Sequence, residues 1–465
     1  MTTTAIVLAA GQGTRMKSSS PKVLHAVAGR PMVDWILHTA FAAGADDAVV
    51  VVGYGRDAVA AHLRDAFGDR VRIAVQEEQN GTGHAVACAM PSVEADAVMI
   101  LYGDTPLLVA ADLERVTQLR AETKRPMALL TCRVQDPTGY GRILRRDGSV
   151  VGIVEHRDAS EAQRAIDEIN PGVYVADTAF LRRALSELRP DNDQGELYLT
   201  DVIAMAAEGD GVADALADAA TLVGVNDRAQ LAEVEATMYQ RIADGWRREG
   251  VTIRQGARIE AEVQVGRDAR IEHGVVLRGK TQIGEGAVLD VGCVLDDVEV
   301  AARAYLKPYT VATASTVGED AQVGPFSHLR PDSHIGPEAH VGNFVETKKT
   351  RLHRGAKANH LAYLGDGEIG EAANVGAGTI FCNYDGFSKH KTTIEAGAFI
   401  GSDSQLVAPI TIGAGAYVAT GTTVTQDVPA DALAIARTRQ DNKLGYAPRL
   451  KARLLAAKKA ADQPK

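Results

Sequence analysis

This chain of 465 residues has little of what marks secreted, membrane-spanning or nucleic-acid-binding proteins. Its four cysteines, Cys88, Cys132, Cys293 and Cys382, are scattered without metal-site spacing, so we expect a reducing cytoplasm and no disulfide framework. No apolar run is long enough to span a bilayer, and no charged leader precedes the first predicted strand. We therefore expect neither membrane insertion nor a signal peptide. The formal net charge of −10 argues against nonspecific nucleic-acid binding.

Glycine, in contrast, is abundant, with 45 residues, and in the second half it often follows an aliphatic residue that recurs every six positions. A period of six fits neither an amphipathic helix nor an alternating strand. It predicts a hexapeptide parallel β-helix from about Val251 to about Pro429, with one apolar residue per face pointing inward. Three such faces make a coil of about eighteen residues, hence roughly nine or ten coils. The series comprises Ile253, Ile259, Val265, Ile271, Leu277, Ile283, Leu289 and Leu295, then Val311, Val317, Val323, Leu329, Ile335 and Val341, then Ile369, Val375 and Phe381, and finally Ile394, Ile400, Leu406, Ile412, Val418 and Val424.

The first half alternates strand-like and helix-like segments. This alternation predicts a doubly wound, Rossmann-like α/β sheet whose ligands bind beyond the carboxyl ends of the strands. A helical pattern at 228–250 is predicted to link the halves, which gives domains 1–227, 228–250 and 251–465. The tail after Ala434 is basic, and Lys458–Lys465 is expected to be disordered. The predicted strands are Ala5–Ala10, Ala48–Val52, Arg72–Gln76, Ala97–Tyr102, Met127–Cys132 and Gly172–Val175, and predicted helices include Met32–Ala43 and Asp57–Phe67.

The segment Leu8–Met16, which reads LAAGQGTRM, follows the first predicted strand. Small residues let the backbone approach a ligand, and its N–H groups can face phosphate. The segment fits neither the dinucleotide fingerprint nor the P-loop. With Pro21–Leu24 after it, it resembles the signature of sugar-phosphate nucleotidyltransferases.

Later motifs extend this resemblance, which implies a site for UTP and a sugar phosphate. Arg15 is implied to stabilise the leaving pyrophosphate, and Asp104 with Asn226 is implied to hold Mg²⁺. A strand-end aspartate alone would more often be a turn or capping residue, so the metal role depends on the surrounding motifs. The residues implied to bind the UDP-sugar are Leu8, Ala9, Ala10, Gly11, Lys22, Gln76, Gly81, Thr82, Tyr102, Gly103, Asp104, Gly141, Glu155, Asn170 and Asn226.

Polar residues interrupt the repeat between 329 and 384, and 382–391 breaks it, which predicts an excursion loop. His360 has the chemistry of a general base near neutral pH. Residues 374–386 follow about one coil later, so we expect them to stack near His360, with Asn383 orienting its ring. Arg330 and Lys348 are candidates for binding a phosphate.

Together the two halves, from Ala5 to about Arg437, resemble the bacterial family of bifunctional N-acetylglucosamine-1-phosphate uridyltransferase/glucosamine-1-phosphate acetyltransferases. The resemblance implies a left-handed β-helix, a homotrimer, and acetyl transfer from acetyl-CoA to glucosamine 1-phosphate with His360 as base. It then implies uridylyl transfer from UTP to N-acetylglucosamine 1-phosphate. The product, UDP-N-acetylglucosamine, serves peptidoglycan and lipopolysaccharide synthesis in this family. Two residues depart from the family pattern: Gln12, where lysine is frequent, and Thr420, where alanine is common.

The resemblance also assigns residues to the acetyltransferase site. The sugar-phosphate set is Arg330, Lys348, Tyr363 and Asn374. The acetyl-CoA set is Ala377, Asn383, Tyr384, Ser402, Thr420 and Arg437, with the backbone N–H of Ala377 facing the oxyanion.

Two other functions are compatible with parts of this pattern. One is a monofunctional nucleotidyltransferase whose β-helix only oligomerises or binds an effector, as in glucose-1-phosphate adenylyltransferases. His360, Asn383 and Lys348 argue against it. The other is a non-catalytic sensor that binds UTP without turnover. The intact set of Arg15, Lys22, Asp104 and Asn226 argues against it.

Overall fold

The computed structural model describes residues 2–461, and the chain folds into two compact units. The first unit comprises Met1–Arg248 with Arg258–Val263, and the second comprises Glu249–Ala257 with Gln264–Lys465. The helix predicted as a separate linker spans Arg228–Arg248 and belongs to the first unit. Within residues 2–461, no helix combines the length and the apolar character needed to cross a bilayer.

The first unit is built on a mixed sheet around the strand Thr3–Ala9, which pairs in parallel with Asp47–Val52 and Ala97–Tyr102. Side chains alternate between two cores, so that Ile6 packs on one face of the sheet and Val7 on the other. Helices cover both faces, which explains why the central strands read as continuous apolar runs. This confirms the doubly wound α/β prediction, although Tyr174–Asp177 runs antiparallel to its neighbours.

All six predicted strands of the first unit are present, with ends shifted by a few residues, but a hairpin and several short strands were not predicted. Its strands are Thr3–Ala9, Ala26–Val27, Arg30–Pro31, Asp47–Val52, Val71–Val75, Ala97–Tyr102, Met127–Arg133, Gly141–Arg146, Ser149–Val154, Glu168–Asn170, Tyr174–Asp177, Val212–Leu216 and Arg258–Ile259. Its α-helices are Met32–Ala42, Arg56–Phe67, Thr82–Ala89, Ala110–Thr123, Glu161–Arg164, Thr178–Glu187, Asp201–Glu208, Ala219–Leu222 and Arg228–Arg248, and its 3-10 helices are Thr14–Met16, Lys22–Leu24, Gly68–Arg70 and Met90–Ser92.

The second unit is a parallel β-helix. On one of its faces, ten successive parallel strand pairings lead from Ile253 to Ala434. Each pairing joins one coil to the next, which agrees with the prediction of nine or ten coils. The predicted inward residues are buried, with one exception. Val311 is 38% exposed and its neighbour Ala312 is 1% exposed, so the prediction for Val311 was wrong by one position. The cause is a shortened coil, since Leu295 pairs with Ala312, one position short of the regular spacing between Leu277 and Leu295.

The predicted excursion loop is confirmed by the register. Ile369 pairs with Ile394, so this coil is longer than the next one, in which Ile394 pairs with Ile412. The basic tail, in contrast, forms an exposed helix, Tyr446–Ala461. The prediction of disorder from Lys458 was therefore wrong as far as Ala461, and residues 462–465 lie outside the described residues.

The strands of the second unit are mostly short and end at the corners of the coils. They are Thr252–Ile253, Gln264–Val265, Arg270–Ile271, Val276–Arg278, Gln282–Ile283, Val288–Leu289, Val294–Asp296, Glu299–Val300, Tyr305–Leu306, Val311–Thr313, Thr316–Val317, Gln322–Val323, His328–Leu329, His334–Ile335, His340–Leu352, Lys357–Ile369, Asn374–Val375, Ile380–Cys382, Thr392–Ile394, Phe399–Ile400, Gln405–Val407, Ile410–Ile412, Tyr417–Val418, Thr423–Val424 and Leu433–Ala434.

Candidate active sites

In the first unit, the predicted nucleotide-binding segments leave the same edge of the sheet. Leu8 lies beside Tyr102 in the register of two parallel strands, and the strand Val71–Val75 ends on the same side. Carboxyl ends of parallel strands are where ligands bind in sheets of this type. The predicted residues at or just after these strand ends are Leu8, Ala9, Ala10, Gly11, Gln76, Tyr102, Gly103 and Asp104.

A cavity of about 860 Å³ opens in the first unit. Its wall mixes charged, amide and aromatic side chains, as expected of a site for a small polar ligand. The predicted residues on its wall are Arg15, Thr82, Tyr102, Asp104, Gly141, Glu155, Asn170 and Asn226. The remaining predicted residues of this unit are not part of the lining, namely Leu8, Ala9, Ala10, Gly11, Lys22, Gln76, Gly81 and Gly103.

Each predicted metal ligand is bonded to a cationic side chain. Lys22 Nζ forms an ion pair with Asp104 Oδ2, and Arg15 Nη2 donates to Asn226 Oδ1 at 2.9 Å. The backbone N–H of Val225 donates to the Asp104 carbonyl oxygen at 2.8 Å, which holds the two ligand segments side by side. Within residues 2–461, no group of three or more His, Cys, Asp or Glu side chains could hold a metal ion. A cation held by Asp104 and Asn226 would therefore complete its coordination with water or with phosphate oxygens.

Polar side chains on the opposite wall are held by residues that the sequence did not single out. Glu155 Oε1 accepts from Thr200 Oγ1 at 3.1 Å, and burial raises the pKa of Glu155. Asn170 Nδ2 donates to the Tyr174 hydroxyl at 2.6 Å, while Asn170 Oδ1 accepts the backbone N–H of Gly172 at 3.1 Å. These bonds fix two predicted sugar-binding side chains in one orientation each.

Two glutamines lie at the edge of the sheet near the glycine-rich loop. Gln76 is 5% exposed, and its Nε2 donates to the Gly81 carbonyl oxygen at 3.1 Å. Gln79 Nε2 donates to the Ala10 carbonyl oxygen at 2.8 Å. The segment that holds the predicted nucleotide-binding residues Gln76, Gly81 and Thr82 is thus tied to the glycine-rich loop that follows the first strand.

In the second unit, His360 is exposed at a corner of the coil, directly paired with Asn343 of the preceding coil. His360 Nδ1 lies 2.9 Å from Asn343 Oδ1. An amide oxygen only accepts, so in the neutral ring Nδ1 carries the hydrogen and Nε2 has the lone pair. In this structure Asn343 contacts the ring, whereas the side chain of Asn383, which was predicted to orient it, donates to Asp366. Asn343 precedes His360 by one shortened coil. Counting back one coil from His360 with the correct coil length would have identified Asn343 from the sequence.

Asp366, which was not among the predicted site residues, lies at the centre of a polar network at another corner. Lys348 Nζ is 3.2 Å from both carboxylate oxygens of Asp366, and the Asn383 side chain donates to Oδ2. A Cβ at Gly365 would lie 2.5 Å from the Tyr363 hydroxyl and 2.7 Å from Asn383 Nδ2. Glycine at this position therefore allows these two predicted side chains to converge.

The remaining sugar-phosphate candidates lie on different parts of the coil. Arg330 donates to Glu346 Oε1 at 2.8 Å, and Glu346 pairs in register with Tyr363. Asn374 belongs to another face, beside Lys357. Within the described chain, the four predicted residues are thus divided between two faces.

Four of the predicted acetyl-CoA residues, Ala377, Ser402, Thr420 and Arg437, form a column along the corner that carries His360, whereas Asn383 and Tyr384 lie elsewhere, at the Asp366 network and in the excursion loop. The N–H of Asp403, next to Ser402, donates to the Ala377 carbonyl oxygen at 2.7 Å. One coil later, the N–H of Gly421, next to Thr420, donates to the Ser402 carbonyl oxygen at 2.9 Å. Arg437 bonds to the Thr420 carbonyl oxygen. Ser402, Thr420 and Arg437 are exposed, so the column presents polar groups to a ligand.

The excursion loop is organised around Asp385. This carboxylate accepts the N–H of Ser388 at 2.7 Å and of Phe387 at 2.8 Å, and it pairs with His390 Nε2 at 2.7 Å. The Ser388 N–H, followed by His390 and the Phe387 N–H, holds the pKa of Asp385 far below its usual value. Tyr384 is 59% exposed, and its hydroxyl donates to a backbone carbonyl of the loop.

Comparison with known proteins agrees with the architecture of both units. Residues 5–201 match the family described as MobA-like NTP transferase domain. Residues 314–349 match the bacterial transferase hexapeptide family, and 391–426 match the hexapeptide repeat of succinyl-transferase.

Several curated relatives match over almost their full length, and each is named Bifunctional protein GlmU. The relative from Sorangium cellulosum is 64% identical, with 98% of each chain covered. That from Trichlorobacter lovleyi is 49% identical, with 95% of this chain and 97% of the relative covered. That from Acinetobacter baumannii strain AYE is 44% identical, with 96% and 98% covered. With this identity over nearly the whole length, the chain belongs to the family of bifunctional GlmU proteins.

Proposed function

We propose that this enzyme makes UDP-N-acetylglucosamine by two reactions, acetyl transfer in the β-helix and uridylyl transfer in the α/β unit. The main observation in favour of two reactions is the hydrogen bond between His360 Nδ1 and Asn343 Oδ1. This bond leaves Nε2 of an exposed imidazole available as a proton acceptor on the surface of the β-helix. A β-helix that only oligomerised would not need it. The full-length similarity to bifunctional relatives supports the same conclusion.

In the acetyl transfer, the amine of glucosamine 1-phosphate attacks the thioester carbonyl of acetyl-CoA. His360 Nε2 accepts the proton of the amine, and the CoA thiol leaves. The backbone N–H of Ala377 stabilises the oxyanion. Arg330 and Lys348 bind the sugar phosphate.

The other predicted residues supply binding contacts. Asn383, whose side chain donates to Asp366, is assigned a place beside the reacting groups. The sugar contacts are assigned to Tyr363 and Asn374, and those with acetyl-CoA to Tyr384, Ser402, Thr420 and Arg437.

In the uridylyl transfer, a phosphate oxygen of N-acetylglucosamine 1-phosphate attacks the α-phosphorus of UTP, and pyrophosphate leaves. Catalysis is mainly positioning and neutralisation of charge. Arg15 stabilises the pyrophosphate and Lys22 contacts a phosphate. The uridine is read by Gln76 and by the backbone of 8–11 and 81–82, and the sugar is held by Glu155, Asn170 and Gly141.

The residues around Asp104 fit Mg²⁺. Asp104 and Asn226 offer oxygen atoms on the wall of one cavity, and the backbone bond from Val225 to Asp104 keeps them adjacent. Mg²⁺ commonly uses one or two protein oxygens together with substrate phosphates. When bound, it would neutralise phosphate charge. Lys22 and Arg15, now bonded to these oxygens, would then be released toward the nucleotide.

We further propose a homotrimer in the cytoplasm. An exposed column of stacked rings, Tyr309, Phe326 and Phe344, runs along the β-helix, with ring centroids 5.2 and 5.6 Å apart. These rings are 50%, 50% and 57% exposed, and large exposed apolar surfaces on proteins commonly mark contacts with other chains. Sedimentation of the purified enzyme tests the assembly.

The test of function is one assay that follows CoA thiol and pyrophosphate separately, with glucosamine 1-phosphate, acetyl-CoA, UTP and Mg²⁺. We expect both products, and pyrophosphate should depend on prior acetylation. His360→Ala should lower thiol release by about 100-fold or more while pyrophosphate release from supplied N-acetylglucosamine 1-phosphate continues. Asp104→Ala should do the reverse. If pyrophosphate appears only when N-acetylglucosamine 1-phosphate is supplied, and no thiol is released, the protein is a monofunctional uridyltransferase. Binding of UTP without turnover would identify a sensor.

A further inference from the structure

The two ends of the Gln76 side-chain amide lie in different surroundings. Nε2 is 3.1 Å from the Gly81 carbonyl oxygen and 3.2 Å from His84 Nδ1. A backbone carbonyl only accepts, so the group that faces Gly81 must be the NH₂ end. Among the residues that the structure describes, no donor bonds to Gln76 Oε1. The carbonyl end of a nearly buried amide is therefore available to a ligand.

This orientation has a consequence for the choice of base. An acceptor such as Gln76 Oε1 can pair with the N3–H of uracil. Cytosine carries a lone pair at N3, so the same oxygen would face another acceptor and both would lose hydrogen bonding to water. A flipped amide would reverse the preference, because its NH₂ group would donate to cytosine N3. Discrimination between uracil and cytosine therefore depends on the contacts that prevent the Gln76 amide from flipping.

We propose that His84 is a positioning residue that fixes the Gln76 amide and so makes the site select uracil over cytosine. The inference rests on the proposed uridylyl transfer, in which Gln76 reads the base. His84 is on the helix Thr82–Ala89, where the ring bridges two contacts. Its Nδ1 faces Gln76, and its Nε2 lies 3.7 Å from Cys88 Sγ. With the hydrogen on Nε2, Nδ1 accepts the second N–H of Gln76. A flip then breaks two hydrogen bonds instead of one.

A competing role for His84 is to anchor the segment between Gln76 and Gly81. Nδ1 is also 3.1 Å from the Glu78 carbonyl oxygen. With the hydrogen on Nδ1, His84 would donate to Glu78 and leave Gln76 bonded to Gly81 alone. The two roles differ in their kinetic signature. An amide lock changes the ratio of UTP to CTP use, whereas a loop anchor changes the KM for both nucleotides together.

The experiment measures kcat/KM for UTP and for CTP with the full-length enzyme, N-acetylglucosamine 1-phosphate and Mg²⁺, by pyrophosphate release. His84→Leu and His84→Phe both remove the acceptor and guard against misfolding of either one. We expect the UTP/CTP ratio to fall roughly tenfold in each, the effect of losing one hydrogen bond from the lock. His84→Asn places an amide oxygen near the former Nδ1 and should retain most of the ratio. CoA thiol release in each preparation reports a folded β-helix.

An unchanged ratio in the Leu and Phe variants would overturn the proposal, as would a KM increase shared by both nucleotides at constant ratio. An Asn variant that loses the ratio as fully as Leu would overturn it too. If the wild-type enzyme releases no pyrophosphate from UTP, the proposed uridylyl transfer itself fails. Normal UTP turnover with an unaffected ratio would remove only the role of His84.

Discussion

Gly172→Ala should disable the cavity of the α/β unit while leaving the β-helix unaffected. Gly172 adopts φ +83°, and a Cβ placed there would lie 1.9 Å from Tyr102 Cε2 and 2.3 Å from Cδ2. Ordinary van der Waals contact begins near 3.4 Å, so the ring would have to move by about 1.5 Å. Tyr102 ends a central strand and lines the cavity, and Asn170 is bonded to the Gly172 N–H. The displacement would therefore reach both walls of the site.

The magnitude follows from two terms. A non-glycine residue in the left-handed region costs about 1 kcal/mol, and overpacking of this kind costs about 1–3 kcal/mol. The free energy of unfolding of the first unit should thus fall by about 2–4 kcal/mol. A misplacement of about 1 Å in a catalytic site can cost about 100-fold in rate. We expect a loss of that order in kcat/KM for uridylyl transfer.

Gly148→Ala is the matched control. Gly148 has φ +81°, in the turn between the strands Gly141–Arg146 and Ser149–Val154, and a Cβ there would meet no atom within 4 Å. It should show the conformational cost alone. Denaturant unfolding and both product assays would be run on the two variants. If Gly172→Ala proved no less stable than Gly148→Ala, or kept full uridylyl transfer, the inferred clash with Tyr102 would be refuted.

Three further predictions concern metal, pH and packing. Removing Mg²⁺ with a chelator should abolish pyrophosphate release and spare thiol release; continued pyrophosphate release would exclude the metal role of Asp104. Burial raises the pKa of Glu155 in the folded state, so the folded chain binds the carboxyl proton more tightly than the unfolded chain does. The free energy of unfolding therefore falls as the pH rises above the unfolded pKa of about 4.3, because the buried carboxyl group is then ionised. Glu155→Gln should therefore gain stability relative to wild type in urea unfolding at pH 7 but not at pH 4, and an equal gain at both would contradict the burial argument. Phe381→Ala removes a ring that is 1% exposed and should lower the unfolding free energy of the β-helix by about 3–5 kcal/mol, whereas a loss below about 1 kcal/mol would show that the coil collapses around the gap.

The β-helix could be predicted in detail because its inward positions follow a fixed period, and burial of residues such as Leu277 and Ile412 confirms the period. The failure at Val311 has the same physical origin. A coil that is one residue short shifts the register by one, and no local preference distinguishes Val311 from Ala312. The positions of the inward residues can be corrected only when the structure shows which coils are short.

Functional neighbours across coils were harder to predict than the residues at the strand ends of the α/β unit. Asp104 directly follows a strand of apolar residues, so its position could be read locally. Asn343 and Asp366 contact residues one coil further along the chain, His360 and Asn383, and this separation depends on the length of the coil. Thr200 reaches Glu155 only because the two chain segments meet in the fold.

The β-helix separates stability from chemistry residue by residue. In consecutive coils Thr347, Leu364 and Phe381 point inward and are almost fully buried. Their near neighbours Lys348 and Asn383 point outward into the Asp366 network. The excursion loop adds residues at one corner, yet the three faces resume their pairing afterwards, with Phe381 opposite Leu406. Because the core register is unchanged, the loop can add groups such as Tyr384 next to the network without a cost in core packing. This explains how a repetitive scaffold carries one locally complex site.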